Sequence, residues 1–306
     1  MALMESEAIV LRTYPLREAD LLVTLFTRAE GKVRGVARSA KKSKRRFGGA
    51  LEPMTHVRAF YDVRERQELA RLDACEVIES PLATEVSYAR AVALAHVAEL
   101  LDELLPDREA NDAIFRLTLS VLHALQHVEI AVTKKIDSEK MRSEAASTGE
   151  ASAETAADTG TSADAKIRAD ARTSADKKVS SDANTSSNIW MPVTYFELWL
   201  TRLVGFLPEL TECIACGRTL NGSRAYFHAL ADGLMCPEDK RLASSEISSE
   251  SRALASQMFR ASVETFAGTP WPKSQAADLR KFLIQTLQRH IEKKLVTAGM
   301  LEKGGF

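Results

Sequence analysis

Two hydrophobic periods divide the chain. Over roughly the first 80 residues, apolar side chains fall in short runs or alternate with polar ones, and the breaks carry turn chemistry. Ala8-Ile9-Val10-Leu11 and Leu21 to Phe26 are apolar runs. Lys32-Val33-Arg34-Gly35-Val36-Ala37-Arg38 alternates basic with small or apolar residues, the pattern of a strand with one charged face. His56 to Tyr61 and Ala70 to Ile78 supply two more strands. Tyr14-Pro15, Glu30-Gly31, Gly48-Gly49 and Glu52-Pro53 punctuate them. Five short strands in one compact unit predict a small barrel of the OB type over residues 1–80.

From Leu82 the spacing becomes helical. Leu82, Val86, Leu94, Val97, Leu101 and Leu104 mark one apolar stripe up to Pro106. Ile114, Leu117, Val121, Leu122 and Leu125 mark a second, so residues 81–135 form the first part of a helical domain. The pattern returns at Trp190, where Trp190, Val193, Phe196, Trp199, Leu200 and Leu203 predict an amphipathic helix ending near Gly205 and Pro208. Arg252 to Phe266 and Ala276 to Val296 read as later helices, the last closing before Gly299. Residues 189–306 thus form the second part of the helical domain. The fold class is α+β: an N-terminal OB-fold β-barrel followed by an all-α domain with an embedded zinc-knuckle-like element at 212–240.

Between these halves the composition collapses. Ile136 to Asn188 holds almost only Ala, Ser, Thr, Asp, Glu and Lys, with no aromatic residue. Aspartates recur every six residues, at Asp158, Asp164, Asp170, Asp176 and Asp182, a period that matches no helix face. Such a segment buries too little apolar surface to offset its ordering entropy, so residues 136–188 are expected to be a disordered low-complexity insertion.

Charge matters here by its placement. The chain of 306 residues has a formal net charge of −1, which selects no partner. Yet Lys32, Arg34, Arg38, Lys41, Lys42, Lys44, Arg45 and Arg46 crowd into fifteen positions with no acidic residue among them. A solvated loop, or a lysine edge that blocks strand pairing, would also be basic. The run starts on a strand and continues into its loop, however, while the rest of the chain is neutral to acidic. Phosphate neutralisation with counterion release fits such a field, so these eight residues are the expected DNA grip. OB barrels add aromatic stacking platforms, for which Tyr14, Phe26, Phe47, Phe60 and Tyr61 are available; Phe47 is the most suggestive because it follows the basic run directly, and it could equally plug the barrel's end. No run of about 18 apolar residues and no basic, apolar leader occurs near Met1, so a cytoplasmic protein without a membrane role is expected.

Four cysteines occur. Cys75 sits in a strand pattern and reads as a small buried apolar residue. Cys213-Ile214-Ala215-Cys216-Gly217 is a CxxCG knuckle, a tight turn whose amides face both sulfurs. A second knuckle starting at Cys236 would place its last ligand at Asp239. Cys213, Cys216, Cys236 and Asp239 could therefore hold one structural Zn2+, with His228 as another candidate for the fourth place. The other reading keeps the cysteines reduced, with the fold standing on apolar packing.

Catalytic signatures are missing: there is no G-x-S-x-G, no P-loop and no H-E-x-x-H. The six histidines make no evident metal or acid–base set, although His123 and His127 lie four apart on a helix. A metal-dependent DNA-processing enzyme would need clustered carboxylates, whereas Glu18, Asp20, Glu30 and Glu52 are scattered. An RNA-binding OB-fold protein is the other alternative. The leading expectation is a protein that is not an enzyme.

Several stretches carry a resemblance. They are Glu7-Ala8-Ile9-Val10-Leu11 with Leu16-Arg17-Glu18-Ala19-Asp20, then Thr24-Leu25-Phe26-Thr27 and Gly31-Lys32-Val33-Arg34-Gly35-Val36-Ala37-Arg38. Gly48-Gly49-Ala50-Leu51-Glu52-Pro53 follows. Later come Phe196-Glu197-Leu198-Trp199-Leu200, Gly205-Phe206-Leu207-Pro208-Glu209-Leu210, the CxxCG turn and Asp232-Gly233-Leu234-Met235-Cys236. With these the chain resembles the RecO family, recombination mediators of bacterial DNA repair. The resemblance covers nearly everything outside 136–188. It implies an OB fold, a helical domain and a zinc-knuckle-like element. It also implies binding of single- and double-stranded DNA, annealing of complementary strands, and assistance to RecA loading on strands coated by single-strand-binding protein. RecR would be a partner, and the location cytoplasmic and nucleoid-associated. Asp239, where many members carry a fourth cysteine, and the long insertion depart from the family pattern.

Overall fold

The structure, a computed structural model, describes residues 3–63, 68–83, 86–127, 189–267 and 276–303. The expected disordered insertion at 136–188 lies outside the described residues.

Five strands close into a barrel: β1 (Leu3–Pro15), β2 (Leu21–Thr27), β3 (Gly31–Ala37), β4 (His56–Asp62) and β5 (Ala70–Glu79), in the order β1-β2-β3-β5-β4. Neighbours are antiparallel except β3 and β5, which run parallel. β1 is longer than the apolar run that announced it, because it serves two partners. Leu3 to Ile9 pair with β4, and Ala8 to Pro15 pair with β2 across a register shift between Val10 and Arg12. The barrel interior follows the period of two: Ala8 and Val10, Val23 and Leu25, Val57, Ala59 and Tyr61 all belong to its core. Ile9, Leu11 and Phe26 point the other way and are buried in the helical core instead. With both faces covered, β1 reads as a continuous apolar run at Ala8–Leu11 rather than an alternation.

A short helix, α1 (Lys44–Phe47), follows β3. The second unit contains α2 (Tyr88–Leu104), α3 (112–127), α4 (189–203), α5 (Ser249–Met258), α6 (Val263–Ala267), α7 (Ala277–His290) and α8 (Val296–Lys303). It is not wholly helical, since β6 (Ala225–Phe227) and β7 (Ser245–Ile247) pair antiparallel beside the knuckle. Three expected helix limits are corrected. Leu82 lies in a turn and is half exposed, because Ser87 caps α2 by accepting the Arg90 N–H and so fixes the start six residues later. The Arg252–Phe266 stretch is two helices, α5 and α6, broken between residues 259 and 262. Gly299 lies inside α8 rather than beyond the last helix.

Ionic contacts join the barrel to the helices. Arg12 meets Asp102 at 2.6 Å, Arg28 meets Asp112 at 2.7 Å, and Lys32 meets Asp107 at 3.4 Å. Gly31, with φ of +71°, lies against the Glu109 backbone, and a Cβ there would fall 1.9 Å from the Glu109 carbonyl oxygen. Only glycine lets the two units approach this closely. Deeper in, the fully buried His96 ring bridges Glu197 (2.8 Å) and Thr297 (2.7 Å), and Glu197 also receives Arg280 at 2.9 Å. Glu99 accepts the backbone N–H groups of Val296 and Thr297, both at 2.9 Å, so a carboxylate from α2 caps α8.

Candidate nucleic-acid interface and metal centre

The basic run is not one surface. Arg34, Arg38, Lys41, Lys42, Lys44 and Arg45 are exposed. Lys32 is buried: its ammonium donates to the Asp102 carbonyl at 2.7 Å and faces Asp107. The expectation that Lys32 shares the grip is corrected, because helix α2 and the segment after it cover that end of the charged strand face. Arg46 is half-buried. Its Nε donates to Ser43 Oγ at 3.1 Å, one terminal nitrogen donates to the Arg38 carbonyl at 2.7 Å, and its guanidinium lies over the Phe47 ring.

The six exposed cations stand on a built scaffold. Ser39 adopts φ of +53° and its N–H donates to Asp20 Oδ1 at 2.8 Å, while the Lys41 N–H donates to the Ala19 carbonyl. These bonds hold the turn after β3 against the β1–β2 loop. Phe47, Ala50 and Leu51 then enter the barrel core. The chain between β3 and β4 is therefore stapled at both ends, and its basic side chains face outward. Among the described residues none of the six makes an ion pair within 4.0 Å.

Phe47 plugs the barrel and is no stacking platform. Phe26 and Tyr61 are fully buried, which removes two more of the candidate aromatics. Tyr14 is exposed, with its hydroxyl accepting from Arg12 at 3.0 Å, and Phe60 is half-buried. Cys75 is buried in the barrel, where desolvation pushes its thiol up to about 12. His123 pairs with Glu79 at 2.6 Å on the surface and does not join a metal set.

At the knuckle, the sulfurs of Cys213, Cys216 and Cys236 and a carboxylate oxygen of Asp239 lie within 4.8 Å of one another. Local sequence builds this. Gly217, at φ of +70°, closes the first turn, and its N–H donates to the Cys213 carbonyl at 2.8 Å. The Cys236 N–H points at Cys213 Sγ at 3.4 Å, and the Asp239 N–H returns to the Cys236 carbonyl. The buried Arg252 of α5 donates to the carbonyls of Leu210, Leu220 and Ser223 and so ties together the segments that flank the first turn. No sequence pattern marked that arginine. His228 is not in the set: its Nδ1 accepts the Leu230 N–H at 3.1 Å in a separate turn, so Asp239 takes the fourth position.

The donors fit a tetrahedral ion. A Zn–S bond of about 2.3 Å gives a tetrahedron edge of about 3.8 Å, and Cys216 Sγ lies 3.8 Å from Cys236 Sγ. This is far beyond a disulfide bond of about 2.05 Å. Asp239 Oδ2 stands 3.1 Å from Cys236 Sγ and 3.3 Å from Cys213 Sγ, close to the shorter sulfur–oxygen edge. Hydrogen bonds from the Cys216, Cys236 and Cys213 thiols hold the Asp239 carboxyl below its ordinary range. The same carboxylate pushes the Cys216 thiol up to about 12. Burial opposes ionisation of Cys213, but the amides of Cys216, Cys236 and Ala215 outweigh it and leave that thiol below its usual value. Four converging donors of this kind suit a divalent cation.

With this geometry in hand, comparison with known sequences is decisive. The profile of the family described as Recombination protein O N terminal matches residues 1–81, and that of Recombination protein O C terminal matches residues 86–133 and 182–298. The chain belongs to the RecO family. The DNA repair protein RecO of Koribacter versatilis is 53% identical over 301 residues, 98% of this chain and 99% of the relative. That of Anaeromyxobacter strain Fw109-5 is 28% identical over 97% of this chain and 94% of the relative. RecO of Geobacter sulfurreducens is 43% identical over 119 residues, 39% of this chain and 48% of that protein.

The family membership makes DNA repair and recombination the setting of this chain. Among the described residues, no helix is long and apolar enough to cross a membrane.

Proposed function

We propose that the chain is a non-catalytic recombination mediator. It binds single- and double-stranded DNA through Arg34, Arg38, Lys41, Lys42, Lys44 and Arg45, anneals complementary strands, and assists RecA loading onto strands coated by single-strand-binding protein. RecR is its expected partner, and its place is the cytoplasm, on the nucleoid. The observation that carries this reading is the row of six exposed cations on an OB barrel, with no carboxylate paired to them among the described residues. In such barrels the β2–β3 face and the loop between β1 and β2 take oligonucleotides. Here Arg34 lies on β3, and the β1–β2 loop holds the basic turn through Asp20 and Ala19.

Annealing needs no bond chemistry. Two phosphate chains repel, and a cationic ledge that lowers their local charge lets bases meet. Cys213, Cys216, Cys236 and Asp239 would hold one structural zinc ion, whose contribution is to tie the two turns together. The test is annealing of complementary strands coated with the cognate single-strand-binding protein. Acceleration over the spontaneous rate, lost as salt rises, is expected. Annealing no faster than without the protein, or binding that prefers RNA to DNA oligomers, would overturn the reading.

A further inference from the structure

In the helical unit, a cleft of about 210 Å³ opens between the end of α4, the β6 turn and α7. Its aromatic wall is built, not incidental. Gly205, at φ of +80°, reverses the chain after α4, and the N–H groups of Phe206 and Leu207 both donate to the Thr201 carbonyl. This fixes the Phe206 ring against the His290 ring, stacked at 4.1 Å between centroids with 12° between planes.

The two histidines on the cleft are set in opposite tautomers. His290 Nδ1 meets the Thr286 carbonyl at 2.8 Å, and a carbonyl only accepts, so Nδ1 carries the proton and neutral His290 offers Nε2 as an acceptor. His228 Nδ1 accepts the Leu230 N–H, so neutral His228 offers Nε2–H as a donor. Gln285 adds an amide with both capacities. An apolar floor of Phe227 and Phe282 beneath flat rings, edged by one donor, one acceptor and an amide, matches a flat heterocycle with polar edges.

The cleft also joins the barrel by a short chain of contacts. Three residues beyond His290, Lys293 pairs with Glu103 at 2.5 Å, and Glu103 lies 4.0 Å from Arg12, which donates to the exposed Tyr14. Tyr14 is the penultimate residue of β1, beside the loop that holds the basic turn.

We propose that this cleft receives an unstacked base of single-stranded DNA whose phosphates lie on the Arg34–Arg45 ledge. The inference rests on the DNA-binding reading of that ledge. The occupant is a nucleobase and not an acidic peptide, because Arg289, the nearest cation on the rim, is already paired with Asp232.

The test uses the full chain and two single strands of equal length, one of thymidines and one of abasic units. Stacking contributes about 1–3 kcal/mol per base, so the thymidine strand should bind at least roughly fivefold tighter. His290→Ala should bring the ratio of the two affinities to about one, and His290→Phe, which keeps a flat ring, should restore it. Reversing Lys41, Lys42, Lys44 and Arg45 should weaken both strands and leave the ratio unchanged. If that reversal weakens neither strand, the ledge reading fails. An unchanged ratio in His290→Ala, or equal affinity for both strands in the unaltered protein, overturns the cleft. Crosslinks from 4-thiothymidine confined to the barrel would do the same. Retention of the abasic strand against an acidic peptide that binds the cleft would reassign it to a protein partner.

Discussion

The seam between the barrel and the helices and the ledge on the barrel's outer face use the same residue types in opposite ways. At the seam, Arg12, Arg28 and Lys32 each meet a carboxylate within 3.4 Å. On the ledge, six cations stand on β3, α1 and the turn between them, with no acid paired to them among the described residues. The knuckle inverts the ledge, since Asp239 and three sulfurs, all electron donors, converge there. A charge satisfied inside the fold contributes to stability and is silent toward ligands. A charge left without a partner on an ordered scaffold is poised for something that arrives from outside. Lys32 and Arg34, two residues apart on β3, fall on opposite sides of that division.

The sharpest way to break the comparison is to reverse the ledge. Lys41, Lys42, Lys44 and Arg45 changed together to glutamate should lower DNA affinity by at least roughly a hundredfold at moderate salt. The slope of log affinity against log salt should shrink by about 0.9 for each duplex phosphate that is no longer neutralised. Thermal stability should hold, because these side chains make no ion pair among the described residues. Arg46 is left out because it ties the turn to Arg38 and Ser43. A change in melting temperature with unchanged affinity would place these residues with the seam.

The knuckle comes next. Asp239→Ala removes the hard donor and leaves three sulfurs. Loss of zinc affinity by at least about tenfold to a hundredfold is expected, since even groups that only orient a ligand are worth that much. Metal analysis of the unaltered protein should return about one zinc per chain. Equal zinc content in both proteins would mean that Asp239 only accepts hydrogen bonds from the thiols.

At the seam itself, Lys32→Met keeps the buried stem and removes the ammonium. A charged hydrogen bond is worth about 1.5–3 kcal/mol, and the Asp102 carbonyl loses its donor, so stability to urea should fall by about 2 kcal/mol. The salt dependence of DNA binding should not move. A shallower salt slope with no fall in stability would return Lys32 to the ledge.

These outcomes separate what was legible in the sequence from what was not. Local patterns carried well. Short apolar runs and one alternating stretch between turn residues located all five strands, and the CxxCG turn and the Cys236–Asp239 spacing each marked one pair of the knuckle donors, because each pair sits within a single tight turn. Long-range partners left no local trace. Lys32 looked like its neighbours because Asp102 and Asp107 lie some seventy residues on, where the helices cover only one end of β3. Phe47, next to the basic run, fitted a platform or a plug, and only its long-range packing decides for the plug, since it is buried in the barrel core. Nothing near His96 announced Glu197, which is 101 residues away. The same holds for the stacked pair in the cleft, where Phe206 and His290 come from elements far apart in the chain. Helix limits failed where a single residue decided them, as Ser87 does for α2.

The smallest expected effect tests whether a charge satisfied inside the helical unit follows pH. Burial alone would raise the Glu99 carboxyl, but the Thr297 hydroxyl and the amides of Thr297 and Val296 donate to it and hold it below the ordinary glutamate range. A depressed carboxyl contributes stability that is complete above its unfolded value and disappears as pH falls through the folded one. Glu99→Gln keeps the shape, loses the charge and sets an amide against the α8 N–H groups. A capping carboxylate is worth about 1 kcal/mol, so the variant should be less stable by about that much between pH 6 and 8. The gap should narrow as pH falls out of the ordinary glutamate range and through the lowered folded value, where Glu99 takes up its proton. A gap that stays constant down to pH 3 would show that Glu99 acts through packing alone, and that α8 is held by its apolar face rather than by the carboxylate at its N-terminus.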